Sequence, residues 1–324
     1  MDVTTGLAML SGSWHRGGID YSSEVMQATL SRLRARFGAP GIDGWWRGLP
    51  QVVSELAERW GLFLGEPVAR GNTSLVLRCQ TSSGERAMLK LTPAWDTART
   101  EADALRHWEP SGRVPHVWGH DADTGALLLE AMPNEAPLSA ADDNTPVSMR
   151  DIAELITGLH DSGSPVQGDG VISLAERVEF IFELWIERYG RNQDVTRVVS
   201  AERLAKGREL ASALLSTPDV APVLLHGDLH PGNVLGGGPA RGLVAIDPRP
   251  CVGDPAFDAV DWVFWRSHDS RTWELRAREL ASATQLDDRR VWEWCAALAA
   301  MLAAATVTRR GSAGRVDALL SLAP

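Results

Sequence analysis

One short segment limits what this chain can fold into more than any other. Leu225-His226-Gly227-Asp228-Leu229-His230-Pro231-Gly232-Asn233-Val234-Leu235 sets four polar side chains on a loop punctuated by two glycines and a proline. Val223-Leu224-Leu225 enters that loop, and Leu243-Val244-Ala245-Ile246 follows after Gly236-Gly237-Gly238-Pro239. Apolar runs this short, bounded by Gly and Pro, read as buried strands. Asp228 and Asn233 are five residues apart, and Asp247 ends the second run fourteen residues after Asn233. Strands bracketing the loop bring the three polar groups to one spot, with Gly227 and Gly232 permitting its tight backbone.

The rest of the chain divides around this segment. At roughly 150 residues per domain, 324 residues suggest about two domains. Residues 1–25 are small and polar, without a sustained period, and read as a flexible tail. A lobe over 26–132 combines helical patterns (Val25, Leu30, Leu33; then Val52, Val53, Leu56, Trp60) with β-compatible runs. Ser74–Cys79 and Arg86–Leu91 flank Thr81-Ser82-Ser83-Gly84, a hairpin signal. Thr97 reads as the cap of a helix through Glu101, Leu105 and Trp108, and Leu127-Leu128-Leu129 as a strand ended by Met132-Pro133. From 133 to 324 the pattern is mainly helical, as in Ile152, Leu155, Ile156 and Leu159 at i, i+3, i+4, i+7. The fold class is therefore α+β, a small β-rich lobe followed by a larger helical one.

Composition excludes several functions. Formal net charge is −10, which disfavours a nucleic-acid binder, since that role needs clustered Lys and Arg. No apolar run reads as a membrane span, and the N-terminus carries no secretory pattern. The three cysteines, Cys79, Cys251 and Cys295, fit no metal spacing and suggest buried thiols in a reducing compartment, hence a cytoplasmic protein. No obligate protein partner is evident. Between Asp121 and Glu154, eight acidic residues face one basic residue, Arg150. That run is either a solvated loop and helix start or the rim of a cleft receiving a cation.

Phosphoryl transfer from ATP needs a carboxylate to accept the proton of the attacking hydroxyl, oxygen ligands for Mg2+, and a lysine on the phosphates. Asp228 and Asn233 have the separation of the protein-kinase catalytic loop, and Asp247 stands where a kinase's metal-binding Asp would. With these residues in place, the chain resembles the aminoglycoside phosphotransferase family, whose loop commonly reads H-G-D-L-H-P-G-N. The likeness is closest to the branch of streptomycin 6-kinases and hydroxyurea kinases, through Asp-Pro-Ala-Phe-Asp at 254–258, the Trp262–Trp265 neighbourhood and Trp45-Trp46. It runs over roughly residues 26–310 and implies a protein-kinase-like two-lobe fold with ATP and Mg2+ between the lobes.

Carried onto this sequence, the resemblance makes Asp228 the base and Asn233 and Asp247 the Mg2+ ligands. Lys90, on a strand beside Leu89 and Leu91, reaches for the phosphates, oriented by Glu101 or by another acid such as Asp103. Gly71, Thr73 and Ser74 form a shortened phosphate loop, and the backbone from Glu130 to Met132 meets the adenine edge. His226 reads as a loop brace. His230 either approaches the γ-phosphate or positions the loop. Asp254 caps a helix at Pro255. Asp258, Asp261 and Trp265 then either share a helical stripe that takes a cationic substrate, or belong to an ordinary helix with buried tryptophans.

The resulting expectation is a small-molecule O-phosphotransferase acting on streptomycin at a ring hydroxyl of its streptidine. The alternatives are a kinase of hydroxyurea or another hydroxylated metabolite or peptide antibiotic, and, in another class, a nucleotide-binding pseudokinase. A protein kinase is disfavoured because no A-P-E segment follows Asp247.

Overall fold

The computed structural model describes residues 19–69, 71, 73–140, 146–162, 170–216 and 221–324. These fall into two compact units: one holds the chain up to Ala102 together with His116–Ala131, the other Asp103–Pro115 together with Met132–Pro324. Most of the expected tail lies outside the described residues. Its last part is anchored, since Ile19 and Tyr21 pack on the first unit's core and Tyr21 meets Trp46 edge-on, ring centroids 6.2 Å apart.

The first unit begins with α1 (Glu24–Phe37) and α2 (Ala39–Arg59), parted at Gly38. Ile42, Trp46, Leu49, Val53 and Leu56 form the buried stripe of α2, at the spacing of one helical face. Next come β1 (Leu62–Pro67), β2 (Leu75–Thr81), β3 (Arg86–Leu91), the long α3 (Trp95–Trp108), β4 (Val117–Asp121) and β5 (Ala126–Glu130). The sheet is antiparallel in the order β1-β2-β3-β5-β4. Leu75, Leu77 and Cys79 alternate inward on β2, and the expected hairpin to β3 is formed. α3 starts at Trp95, so Thr97 lies inside it; the Thr92 hydroxyl instead accepts the Ala94 amide just ahead of the helix.

The second unit contains α4 (Met149–His160), β6 (Ile172–Ser173), α5 (Leu174–Arg191), α6 (Gln193–Val198) and α7 (Ala201–Ser216). Reciprocal capping boxes, Ser148 with Asp151 and Ser173 with Glu176, start α4 and α5. Then follow β7 (Val223–Leu225), β8 (Val234–Gly236), β9 (Leu243–Ala245) and β10 (Cys251–Gly253). β10 pairs antiparallel with β7 and parallel with β6, while β8 and β9 form a separate ribbon. The chain closes with α8 (Val260–Val263), α9 (Ser270–Thr284), α10 (Asp288–Thr308) and α11 (Ala313–Leu322).

α10 is long and apolar enough to cross a membrane by length and composition alone, yet it is largely buried against α7, α9 and α11 as a core helix. Its alanines let α7 approach closely. A Cβ built on Gly207 of α7 would lie 2.5 Å from the Ala297 carbonyl oxygen. Gly207→Ala therefore trades a helix-propensity gain of about 1 kcal/mol for a clash with backbone that cannot swing aside. The expected net result is a loss of about 1–3 kcal/mol, read as a lower midpoint in thermal or denaturant unfolding.

Candidate active site

The 226–233 loop leaves β7 and enters β8, and both its ends are laced to the segment after β9. Ile246 N–H donates to the Asn233 carbonyl at 2.8 Å, and Arg249 N–H donates to the His226 carbonyl at 2.8 Å. Val234 is paired with Ala245, so Asn233 and Asp247 emerge from the same end of one ribbon. Asp247 adopts φ 57°, a left-handed conformation that side-chain-bearing residues seldom take, and its carboxylate lies 3.9 Å from Arg249. Gly227 also has positive φ (72°), and a Cβ there would fall 2.1 Å from the Arg249 carbonyl oxygen. Only glycine fits.

Beneath the loop sits Asp258. Its carboxylate accepts the backbone N–H of His226 at 2.8 Å and of Gly227 at 3.0 Å, and His160 Nε2 lies 3.1 Å away. Burial pushes this carboxyl up, but the His160 hydrogen bond, the neighbouring His160 and His226 rings and the His226 amide outweigh it, so it stays below the usual carboxylate range. His226 is fully buried, with Nε2 3.1 Å from the Ile246 carbonyl and its ring stacked on Trp108. Burial lowers its pKa and keeps the ring neutral. It braces the loop.

Asp228 is partly exposed and held from several sides. Arg177, from α5, donates Nε to the Gly227 carbonyl at 3.0 Å and Nη2 to Asp228 Oδ1 at 3.3 Å. Asn233 donates Nδ2 to the Asp228 carbonyl at 3.0 Å and to Oδ2 at 3.3 Å. His230 Nδ1 accepts the Gly232 amide at 2.9 Å, which leaves Nε2 to carry the proton, 3.9 Å from Asp228 Oδ2. Asn233 thus presents its amide nitrogen to Asp228, which turns its Oδ1 away from that carboxylate. Two hard oxygen donors at one ribbon end suit Mg2+, which favours oxygen and fills its remaining positions with phosphate and water. Among the described residues, no three His, Cys, Asp or Glu side chains gather as a self-sufficient metal site.

In the first unit, Lys90 is buried and its ammonium lies 2.6 Å from each Glu101 carboxylate oxygen. Removing one member of a pair this buried costs about 3–5 kcal/mol, because the other charge is stranded. Asp103 instead pairs with Arg106 at the surface. Near the expected phosphate loop, Gly71 accepts Arg32 through its carbonyl, and the Thr73 carbonyl accepts the Thr92 hydroxyl. Asn72 lies outside the described residues. Ser74 is buried, as Lys90 is. The Glu130 N–H and carboxylate are committed to the His116 backbone, and the Met132 side chain packs with Leu235, Val244 and Ile246.

The expected substrate stripe does not form as a stripe. Residues Pro255–Ala259 are a 3-10 turn rather than α-helix, which changes the angular spacing and turns Asp258 under the loop, away from any substrate. Asp254 caps that turn through the Ala256 amide and also receives Arg290 and, at 2.6 Å, Trp294 Nε1. Trp265 meets Trp262 edge-on, and the Arg266 guanidinium covers its ring at 4.4 Å, so that face already holds a cation. Asp261 stays half-buried. Burial pushes its carboxyl up and the Asp228 charge adds to this, against the opposing pull of His230, Arg309 and Arg315. The acidic run is mostly engaged internally. Asp121 binds Arg59 and Thr124, Asp151 caps α4, and Glu154 meets Arg113 and Arg150. Asp142 and Asp143 are outside the described residues.

Arg177 and His160 carried no motif. Arg177 had one legible signal: it occupies the buried stripe between Leu174 and Val178, where a charge needs a partner.

The family model described as aminoglycoside/hydroxyurea antibiotic resistance kinase matches residues 59–311. A hydroxyurea phosphotransferase of Kitasatospora aureofaciens is 34% identical over 233 residues, 71% of this chain and 65% of the relative, so the match spans just under two thirds of that relative's length. A streptomycin 6-kinase of Streptomyces glaucescens is 31% identical over 253 residues, 76% of this chain and 75% of the relative. Among solved structures, a thermostable mutant of aminoglycoside phosphotransferase APH(4)-Ia, in ternary complex with ADP and hygromycin B, superposes with TM-score 0.59 at 16% identity. It covers 84% of this chain and 98% of that one. A choline/ethanolamine kinase family protein from Mesorhizobium loti gives TM-score 0.56 at 17% identity, covering 92% and 94%. The fold is kinase-like.

The electrostatics under the loop set a pH dependence. A base whose folded pKa lies below its ordinary 6.5 takes up its proton more readily when unfolded, so stability falls as pH drops below 6.5. Asp258, held below 3.8, adds a second loss as pH falls through and below that value. Urea unfolding midpoints should therefore decline from pH 7 to pH 5, and His226→Gln, which can still donate to Ile246, should flatten that decline.

Proposed function

The chain belongs to the aminoglycoside/hydroxyurea antibiotic resistance kinase family, and on that premise we propose that it transfers the γ-phosphoryl group of ATP to a hydroxyl of streptomycin. The observation that carries the reading is the lacing of the Asp228 loop to the Asp247 segment, which gathers a base and two oxygen donors at one ribbon end. Asp228, partly exposed and fixed by Arg177 and Asn233, accepts the proton of the attacking hydroxyl. Asn233 Oδ1 and the Asp247 carboxylate are the groups that would hold Mg2+, which when bound neutralises charge on the phosphates. Arg249, near Asp247, keeps positive charge beside that acid, and His230 turns its Nε2 toward Asp228.

In the first unit, the Lys90–Glu101 pair is the phosphate anchor, with Glu101 fixing the ammonium against the ordinary mobility of a lysine. In this reading the Gly71 and Thr73 backbone meets the phosphates, its Thr73 carbonyl tied to Thr92 two residues beyond Lys90, and the backbone ending at Met132 takes the adenine edge. Asp261 is the acceptor-side acid. A carboxylate held up by burial and by Asp228 gains most from a cation, and streptomycin carries guanidinium groups. Adding a phosphate sets negative charge among the positive groups that recognition of such a cation depends on, which in this reading is the route to resistance. ATP supply and three buried free cysteines support a cytoplasmic setting.

The relative that phosphorylates hydroxyurea keeps that small neutral acceptor as the second reading. Incubation with ATP, Mg2+ and a panel of aminoglycosides plus hydroxyurea, read by mass for the gain of one phosphate, separates them. Streptomycin should gain the phosphate; modification of hydroxyurea alone reverses the ranking. Asp228→Ala should keep ATP·Mg2+ binding by calorimetry while turnover falls roughly 10²–10⁴-fold. Wild-type turnover in that variant removes Asp228 as the base.

A further inference from the structure

Arg177 is a charged side chain buried at the root of the site, and neither the catalytic-loop spacing nor the proton-transfer chemistry calls for it. It arrives from α5, fifty residues before Gly227 in the chain. Its guanidinium spends one arm on the Gly227 carbonyl at 3.0 Å and extends another to Asp228 Oδ1 at 3.3 Å. A clasp between α5 and the loop needs only the first arm. The second arm goes to the one loop carboxylate left partly exposed to meet a reacting group.

We propose that Arg177 is a positioning residue for the phosphoryl-transfer base, an inference that rests on the assignment of Asp228 above. The Asp228 carboxylate must present one lone pair along the line of the incoming hydroxyl, and a free carboxylate swings about its Cβ–Cγ bond. Here Oδ1 is held by Arg177 and Oδ2 by Asn233 Nδ2 at 3.3 Å, so the carboxylate plane is pinned from both sides. Asn233 is also a proposed metal ligand and turns with its own task. Arg177 has no second task at the metal, and its planar fork, already locked by Gly227, reaches Asp228 with little freedom left to lose. Its aliphatic stem is packed, and its guanidinium lies 5.9 Å from the exposed Phe180 ring on the same helix, which limits the directions it can take.

The test is a double-mutant cycle on turnover in the full chain, using the acceptor that gains phosphate in the panel. Arg177→Met keeps the stem and removes both arms, and kcat should fall on the order of 10²-fold, the scale of a base displaced by about an ångström. KM for ATP should stay unchanged. Arg177→Lys, which reaches one acceptor but not both, should fall between Met and the wild type. In an Asp228→Asn background, Arg177→Met should cost nothing further, because a residue that acts only through Asp228 has nothing left to position. Full kcat in Arg177→Met overturns the proposal, as do losses that add to those of Asp228→Asn or a rise in KM for ATP alone. Should Arg177→Met fail to fold, Arg177→Lys alone and in the Asp228→Asn background is read by the same criteria. A wild-type chain inactive toward every acceptor overturns the kinase reading and this one together; wild-type turnover with an indifferent Arg177 overturns this one only.

Discussion

The buried carboxylate of Asp258 is the point on which the second unit's chemistry hangs. Backbone amides at the start of a loop ordinarily spend their hydrogen bonds on water or on a strand partner. Here the amides of His226 and Gly227 point inward, to an anion supplied from a 3-10 turn about thirty residues later in the chain. An unpaired carboxylate in that position would be expensive, and an unpaired pair of amides nearly as much so. Each satisfies the other, with His160 completing the set. The loop's starting direction is thereby set before any side chain on it has a partner.

From that anchor the remaining geometry follows in steps. Gly227 can turn under Arg249 only because it lacks a Cβ, and the turn puts Asp228 on the open side of the loop while His226 goes inward to stack on Trp108. The backbone hydrogen bonds from Ile246 to Asn233 and from Arg249 to His226 then carry Asp247 to the same end of the β8–β9 ribbon. The left-handed backbone at Asp247 fits the pattern of strain kept at functional positions, where surrounding contacts over-determine an unfavourable conformation. In the first unit the comparable constraint is the Lys90–Glu101 pair, with both charges taken out of water and each balanced by the other.

Much of this was legible beforehand. The β2–β3 hairpin and the α4 stripe carried their own periodicity, and the apolar runs that form β7 and β9 carried their own boundaries, so a local window sufficed. Lys90 was legible through the resemblance, which left Glu101 or another acid such as Asp103 as its partner, and the fold pairs it with Glu101. Asp258 leaves the helical stripe that its spacing suggests because residues 255–259 form a 3-10 turn. The strands β1, β4 and β6 gave little signal, being short or held by pairing with distant partners rather than by their own pattern.

The sequence by itself determined which residues could do chemistry: the spacing of Asp228, Asn233 and Asp247, the glycines that allow the loop, and the apolar runs that must be buried around it. Those are properties of covalent order and side-chain type, fixed before folding. Only the tertiary structure decided which carboxylate faces solvent and which is spent under the loop, and it brought Arg177 and His160 to the site from helices with no motif of their own. The reason is physical. A charge becomes a brace or a reactive group according to what desolvates it and what hydrogen-bonds to it, and those neighbours lie tens of residues away along the chain.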